Sequence, residues 1–195
     1  MSEPALEAHE HAEHAEHAAH ENNPFISLVS ITIALLAVIA AVTGSLESIE
    51  DGSAIIDANK AVLAQDQATD QWDFYQAKSL KKHMYTIAAA GGGDNADKFA
   101  AIAKKEGDEA EGVQQEAKKL ESERETLLGE SRAHESRHHR LSLGATLLEI
   151  GIAIATIAII TRHRLTWLLS GILGVAGAAV AVLAYLPVGL SFPGL

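Results

Sequence analysis

Three long apolar runs stand out in the pattern of hydrophobic and polar residues along the chain. Residues 25–44 contain no charged side chain, residues 141–161 contain only Glu149, and residues 165–186 contain none. Each run is close to the roughly 20 residues that a helix needs to cross a hydrocarbon core about 30 Å thick. The pattern therefore predicts an all-α integral membrane protein with three transmembrane helices, at 25–45, 141–161 and 165–186.

The segment between the first two runs, residues 46–140, is predicted to form a long antiparallel helical hairpin. It is rich in Ala, Glu, Lys, Gln and Leu, which are good helix formers, and it contains no proline. Its strongest interruption is a run of three glycines at 91–93, followed by Asp94. Glycines end helices and an Asp can cap the next one, so the tip of the hairpin is expected at 91–93. We expect the second arm to continue into the membrane as one near-continuous helix.

Apolar residues at steps of three and four predict the faces on which the two arms meet. In the second arm this seam comprises Phe99, Ala103, Ala110, Val113, Ala117, Leu120 and Leu127, interrupted by Glu106 and Arg124. In the first arm it comprises Ile49, Ile56, Leu63, Leu80, Met84 and Ile87, with Asp66, Asp70 and Asp73 between them. Folding the chain back at Gly92 brings Asp66 and Asp70 near Lys118 and Lys119. Salt pairs across the hairpin are therefore expected.

The last two membrane helices are joined by only three residues, 162–164, so they must be antiparallel neighbours. The third helix carries a series of small residues: Gly171, Gly174, Gly177, Ala178 and Ala181. Small residues four apart allow helices to approach closely in a membrane. These positions are predicted to pack against another helix, within the chain or in a second copy.

Charge and composition exclude several classes of protein. The net charge is −11 and no basic patch with interleaved aromatics occurs, so nucleic-acid binding is not expected. The chain has no cysteine, which excludes disulfides, thiolate metal sites and cysteine nucleophiles. It also lacks a nucleophile elbow, and the glycines at 91–93 are not followed by the Lys-Ser/Thr of a phosphate-binding loop. We expect no enzymatic activity, no cofactor and no small-molecule substrate.

Lysines and arginines near the membrane ends set the expected orientation. The hairpin side has Arg132, Arg137 and Arg140 together with Lys60, whereas the opposite side has only Arg162 and Arg164. This small excess predicts that the hairpin lies in the cytoplasm.

The amino-terminal stretch "HEHAEHAEHAAHE", residues 9–21, alternates histidines with acids. His11, His14, His17 and His20 are three residues apart, and imidazole suits zinc, copper and nickel. A dedicated structural metal site needs four ligands held by a fold, whereas this carrier is a short Ala/Glu peptide. Residues 1–23 are therefore predicted to be an acidic solvated tail, with adventitious metal binding as the alternative. Residues 187–195 form a short apolar tail.

Glu149 is the charged residue that falls inside a predicted membrane span, in the company of Thr146 and Thr156. A lone charge is costly to bury, so we expect a neutral carboxyl that forms a hydrogen bond to a neighbouring membrane helix. The candidate partners are the hydroxyls of Ser30, Thr32 and Ser170. The alternative is that Glu149 belongs to a proton or cation relay.

The stretch "DQWDFYQAKSLKKHMY", residues 70–85, is aromatic and basic within an acidic segment. One hypothesis is a docking surface for a partner, because aromatic residues are frequent at the energetic centres of interfaces. Its residues would be Trp72, Phe74, Tyr75, Gln76, Lys78, Lys82 and Tyr85. The alternative is that these aromatics pack within the hairpin, with the lysines in solvent.

This stretch, with its W-x-x-Y-Q-A-K-x-x-K core, resembles an uncharacterised bacterial membrane family, catalogued as domain of unknown function 4337. Residues 139–167, "HRLSLGATLLEIGIAIATIAIITRHRLTW", resemble the second membrane helix and basic turn of that family. The resemblance covers nearly the whole chain and implies three membrane helices and a helical insert. We expect a location in a bacterial inner membrane. It implies no activity, substrate or catalytic residue.

Two functions are compatible with these features. The first is a non-enzymatic membrane-anchored scaffold or accessory subunit that self-assembles or docks on a larger membrane complex. The alternative is an oligomeric ion or proton conduit with Glu149 lining the path. In both cases the chain contacts membrane lipid and is not expected to be an isolated monomer.

Overall fold

A computed structural model describes residues 24–186. These residues form three helices and contain no β-strand. The helices are α1, Pro24–Ala90, α2, Ala96–Thr161, and α3, Arg164–Leu183. The predicted all-α class is therefore confirmed for this part of the chain. The His-rich tail and the short apolar tail lie outside the described residues.

All three helices contain a stretch that is long and apolar enough to cross a membrane. The first two are much longer than such a crossing requires, with 67 residues in α1 and 66 in α2. In both, the helical hydrogen bonds continue from the apolar run into the charged segment without a break. The expected near-continuous helix that leads into the second apolar run is thus present as α2.

Glycine separates α1 from α2. Gly92 and Gly93 have φ angles of 73° and 98°, in the left-handed region where residues with a Cβ are strained. The Gly91 amide still donates to the Ile87 carbonyl at 3.2 Å, which closes the last turn of α1. The Ala96 amide donates to the Gly93 carbonyl at 3.0 Å, and α2 begins there.

The chain forms two compact units, and α1 and α2 contribute to both. Among the described residues, unit 1 consists of 24–53 with 133–186, and unit 2 consists of Ala54–Arg132. Unit 1 contains the core of the three apolar runs. This core comprises Val29, Ile33, Leu36, Ala37, Leu148, Ile152, Ala155 and Ala158, with Phe25, Ala40, Ile159 and Trp167 packed against it.

Within unit 1, α2 and α3 pack backbone against backbone at glycines. A Cβ added to Gly177 would lie 2.7 Å from the Gly144 carbonyl oxygen, closer than real Cβ contacts come. Further along the two helices, a Cβ on Gly151 would lie 3.3 Å from the Ser170 carbonyl oxygen. From the first contact to the second, the residue number rises along α2, from 144 to 151, and falls along α3, from 177 to 170. The two helices are therefore antiparallel neighbours, as the short connection predicts.

The small residues predicted on α3 have different surroundings. Gly174 and Gly177 are buried, and a Cβ on Gly174 would meet the Leu36 side chain of α1. The Ala181 methyl packs against Gly144, and Ala178 is half-buried. At Gly171, by contrast, an added Cβ would meet no atom within 4 Å. Gly144 and Gly151, the partners on α2, were not identified from the sequence.

Within unit 2, the segments from α1 and α2 meet along alanines. Every buried hydrophobic residue between 54 and 132 is an alanine: Ala61, Ala64, Ala68, Ala103, Ala110 and Ala117. Contacts at both ends link the two segments. The Ser131 hydroxyl donates to the Ala54 carbonyl at 2.9 Å, and the Tyr85 and Phe99 rings are 6.0 Å apart. The predicted seam of the second arm is confirmed, because all its residues are buried or half-buried.

The seam predicted for the first arm is wrong. Its six aliphatic residues, Ile49, Ile56, Leu63, Leu80, Met84 and Ile87, are between 55 and 72% exposed. The alanine face of α1 contacts α2 instead, since small side chains allow the closer approach. Apolar periodicity located an apolar face of α1, but it did not reveal which face α2 covers.

The specific pairs predicted, Asp66 and Asp70 with Lys118 and Lys119, are not formed among the described residues. Salt pairs across the two helices do occur elsewhere, because Lys78 of α1 pairs with Glu106 and Glu109 of α2. Asp66 and Asp70 are exposed, because they share the outward side of α1 with the large aliphatic residues. Lys119 forms its ion pair within its own helix, with Glu116 at 3.3 Å.

The glycine contact between α2 and α3 can be tested by Gly177→Ala. The added methyl meets the Gly144 carbonyl, so we expect a loss of about 1–3 kcal/mol in the free energy of unfolding, as in other overpacked sites. Gly171→Ala on the same helix is the control and should be neutral or stabilising by up to about 1 kcal/mol. Unfolding in mild detergent, followed by circular dichroism, measures both. Equal stability of the two variants would contradict the close contact.

Candidate functional site

A cluster of ionisable side chains surrounds Glu50 in unit 1. Glu50 is only 5% exposed. Its Oε2 atom lies 2.6 Å from Nδ1 of His134 and 3.6 Å from Nε of Arg137. Burial of a carboxylate is costly unless charged and hydrogen-bonding groups compensate it. The two α2 side chains supply those groups, and we define this set as the Glu50 cluster.

Helical spacing brings the cluster together. His134, Arg137 and His138 are three or four residues apart on α2, so they share one face of that helix. Glu47 and Glu50 are three apart on α1 and share a face in the same way. His138 Nδ1 lies 3.5 Å from the Glu47 carbonyl oxygen and 3.9 Å from its Oε1 atom. Two carboxylates of α1 therefore face two imidazoles of α2.

The third helix of unit 1 also reaches the cluster. Tyr185, which follows the end of α3, has its phenol hydroxyl directed at the Glu50 carboxylate. Glu50 thus connects α1 to α2 and to the end of α3. Removal of its carboxylate would leave polar groups on two other segments without their common acceptor.

The chemistry open to the Glu50 cluster is hydrogen bonding and ion pairing, because an imidazole nitrogen lies 2.6 Å from a carboxylate oxygen. Between residues 24 and 186, no three His, Asp or Glu side chains converge closely enough to hold a metal ion. The geometry within one chain fits an electrostatic connection between the three helices of unit 1.

The Glu50 cluster was not identified from the sequence, although a signal for it exists. Folding the chain back at Gly92 places position 50 opposite position 134. In the polar middle of the segment the same reflection gives pairs that do not form. Near the ends of the apolar runs it pairs a carboxylate with an imidazole, and that pairing is the signal for this site.

In unit 2, Trp72 and Tyr85 of the stretch 70–85 contact α2, and Tyr75 packs against Trp72 on its own helix. The indole Nε1 of Trp72 donates to Glu121 Oε1 at 2.9 Å. Its ring meets Tyr75 edge-on at 5.6 Å, and Tyr85 packs against Phe99. These contacts favour packing within unit 2 for the three residues. Phe74 and Gln76 are exposed.

The two lysines predicted for docking are also engaged within unit 2. Lys78 Nζ bonds to Glu109, lies 3.1 Å from Glu106 and sits 5.4 Å from the centre of the Phe74 ring. The hydrogen bonds to Glu109 and then Glu106 raise the pKa of Lys78, and the bond from Lys78 lowers the pKa of Glu109. The stem of Lys82 packs over Gly107, where an added Cβ would come within 3.3 Å of it.

Glu149 does not form the predicted hydrogen bond within one chain. It is exposed on α2 and has no hydrogen-bond or ion-pair partner among residues 24–186. The Thr146 and Thr156 hydroxyls bond to carbonyls of their own helix, at 2.9 and 3.1 Å. Of the proposed partners, Thr32 accepts a bond from Trp167, and Ser30 and Ser170 are buried inside unit 1. Glu149 points away from them because it lies on the opposite face of α2.

Comparison with known proteins gives a family and no activity. The sequence model of the family described as Domain of unknown function (DUF4337) matches residues 25–187. No curated protein and no solved structure matches the chain. The matched range includes the Glu50 cluster, the aromatic stretch and Glu149.

The role of Glu50 can be tested by Glu50→Ala. The substitution leaves the half-buried His134 and Arg137 without their carboxylate, so we expect a loss of about 1–3 kcal/mol in the free energy of unfolding. Asp51→Ala, at the adjacent exposed position, is the control and should change stability by less than about 0.5 kcal/mol. Chemical unfolding in mild detergent provides the comparison. A similar loss from both substitutions would show that the cluster does not connect the helices.

Proposed function

This chain belongs to the DUF4337 family, a domain of unknown function, and we propose that it is a non-enzymatic, membrane-anchored helical scaffold or accessory subunit. In this proposal unit 1 lies in a bacterial inner membrane and contacts lipid. Unit 2 is an antiparallel helical hairpin in the cytoplasm and is the part that docks on a larger complex. A fold of this kind carries no activity by itself, so the proposal depends on its surfaces.

The observation that carries this proposal is the outward position of large aliphatic residues in unit 2. Leu63, Leu80, Met84 and Ile87 are all more than half exposed. A helix in water normally turns its large apolar residues toward its neighbour and its polar residues outward. Here alanines face the neighbouring helix and the larger side chains face away. An exposed apolar surface of this kind indicates a further contact.

The residues near the end of α1 have the spacing of a helix that docks in a groove. Leu80, Met84 and Ile87 occupy positions i, i+4 and i+7, which places them on one stripe. Lys81 and Lys82 flank the stripe. We define the three aliphatic residues as the distal stripe. A partner would offer an apolar groove with acidic groups at its rim.

Site-specific crosslinking in intact membranes tests the docking surface. A photo-reactive amino acid in place of Met84 should give a discrete adduct, because the distal stripe is covered in the assembly. The same amino acid in place of Glu123, an exposed position on α2, is the control and should give none. The double substitution Leu80→Ser with Ile87→Ser should lower the Met84 adduct about tenfold or more, since two apolar anchors are removed.

The matched control for that double substitution is Gln67→Ser with His83→Ser, which alters two exposed polar positions of α1 outside the candidate docking residues. It should leave the adduct unchanged. Equal adduct yields from positions 84 and 123, or an adduct that does not respond to the loss of Leu80 and Ile87, would refute the docking role.

The conduit is the second candidate, because Glu149 is exposed on α2 and copies of the chain can bring it together. Under the scaffold proposal, liposomes that contain the purified protein should show no more proton flux than protein-free liposomes. Glu149→Gln should not change that result. A pH-sensitive dye inside the liposomes gives the measurement. Flux that exceeds the protein-free level and disappears in Glu149→Gln would favour the conduit.

A further inference from the structure

We propose that two copies of this chain pair in the membrane through the outward face of α2, and that Glu149 of each copy forms a hydrogen bond to the other copy. This inference rests on the proposed membrane anchoring. It adds to that proposal the identity of one partner, a second copy of the chain, and the surface on which that copy binds.

The outward face of α2 has the repeat of a helix that pairs with another helix. Its exposed residues recur at alternating steps of three and four: Leu143, Thr146, Ile150, Ala153, Ile157 and Ile160. This seven-residue repeat keeps one stripe against a partner helix over several turns. Glu149 lies directly beside Ile150 and is exposed with it. The opposite face of α2 is already covered, because Leu148, Ile152 and Ala155 belong to the core of unit 1.

Glu149 is what makes a partner necessary on this face. Lipid tails contain no hydrogen-bonding group, so a carboxyl exposed to them is costly even when it is neutral. Residues 24–186 provide no partner for it. The apolar runs 25–44 of α1 and 165–183 of α3 contain no ionisable side chain, so neither run requires a polar partner in the way that α2 does. The face of α2 therefore requires a surface with a polar group at the depth of Glu149.

A second copy supplies that group at the right depth. Chains inserted in one membrane share one orientation, so a two-fold axis along the membrane normal brings identical positions together. Glu149 of one copy then faces Glu149 and Thr146 of the other. The Thr146 hydroxyl donates to the Ser142 carbonyl at 2.9 Å, and its oxygen keeps lone pairs that can accept a bond. A neutral carboxyl group carries one donor and also accepts hydrogen bonds, so two facing copies of this face contain both the donors and the acceptors that it needs.

Single cysteines test this geometry cleanly, because the chain has no cysteine of its own. Ala153→Cys places a thiol on the proposed contact, and Val175→Cys places one on the exposed surface of α3. Mild oxidation of membranes with a low protein-to-lipid ratio should give a disulfide-linked dimer for Ala153→Cys. Val175→Cys should remain monomeric, since a disulfide requires Cα atoms within about 7 Å.

The role of Glu149 is measured by the monomer–dimer equilibrium of fluorescently labelled protein in vesicles. Glu149→Gln should pair as the wild type does, because the amide both donates and accepts. Glu149→Leu should weaken pairing about eightfold, because it removes two hydrogen bonds, one from each copy, of the strength usual between membrane helices. Val175→Leu is the control and should have no effect.

Several results would overturn the pairing. In the cysteine experiment, they are the absence of a dimer from Ala153→Cys, a dimer formed equally by Val175→Cys, and a disulfide between position 153 and a different protein. In the equilibrium measurement, the contrary result is pairing that is unchanged or stronger in Glu149→Leu. Retention of the chain in membranes after an alkaline wash tests the anchoring separately. A chain that stays in the washed membrane without the Ala153→Cys dimer refutes the pairing alone, whereas release by the wash refutes the anchoring.

Discussion

Close contact between helix backbones, which glycine and alanine make possible, determines how side chains are distributed in this protein. In unit 1, Gly144 and Gly177 place the backbones of α2 and α3 against each other. In unit 2, the buried hydrophobic residues are alanines on both helices. Large aliphatic side chains have no room where these glycines and alanines meet, and many of them lie on the outward faces of both units.

A seam of alanines gives little control over how two helices align. Each methyl contributes only about 0.8 kcal/mol on burial, and one alanine resembles the next. The polar contacts of each unit supply the missing specificity. In unit 2, Trp72 donates to Glu121 in the alignment that the structure has. In unit 1, Glu50 contacts His134 in the same way. These polar contacts favour that alignment, which the small residues leave open.

The sequence predicted the helical class and the second seam, because helix formers and charge-poor runs act through local physics. It failed on the first seam for a physical reason. Leu80 and Met84 mark an apolar face, but alanines such as Ala64 and Ala68 carry no periodic signal strong enough to compete with them. Which of two faces is covered depends on the neighbouring helix. The Glu50 cluster escaped notice for a similar reason, since its partners are far apart in the sequence.

The meaning of an outward side chain depends on the solvent that it meets. In a lipid environment an exposed isoleucine costs nothing, whereas an exposed carboxyl such as that of Glu149 is expensive. In water the order is reversed, so the exposed Leu80 and Met84 are the costly residues and the nearby lysines are not. In unit 1, for which lipid is proposed, the mismatched residue is Glu149. In unit 2, for which water is proposed, the mismatched residues are Leu80 and Met84. Each mismatch marks one surface. The two surfaces differ in chemistry, one a carboxyl among aliphatic groups and the other an aliphatic stripe among lysines. A partner that satisfies one of them is therefore unsuited to the other, so the two proposed contacts are separate.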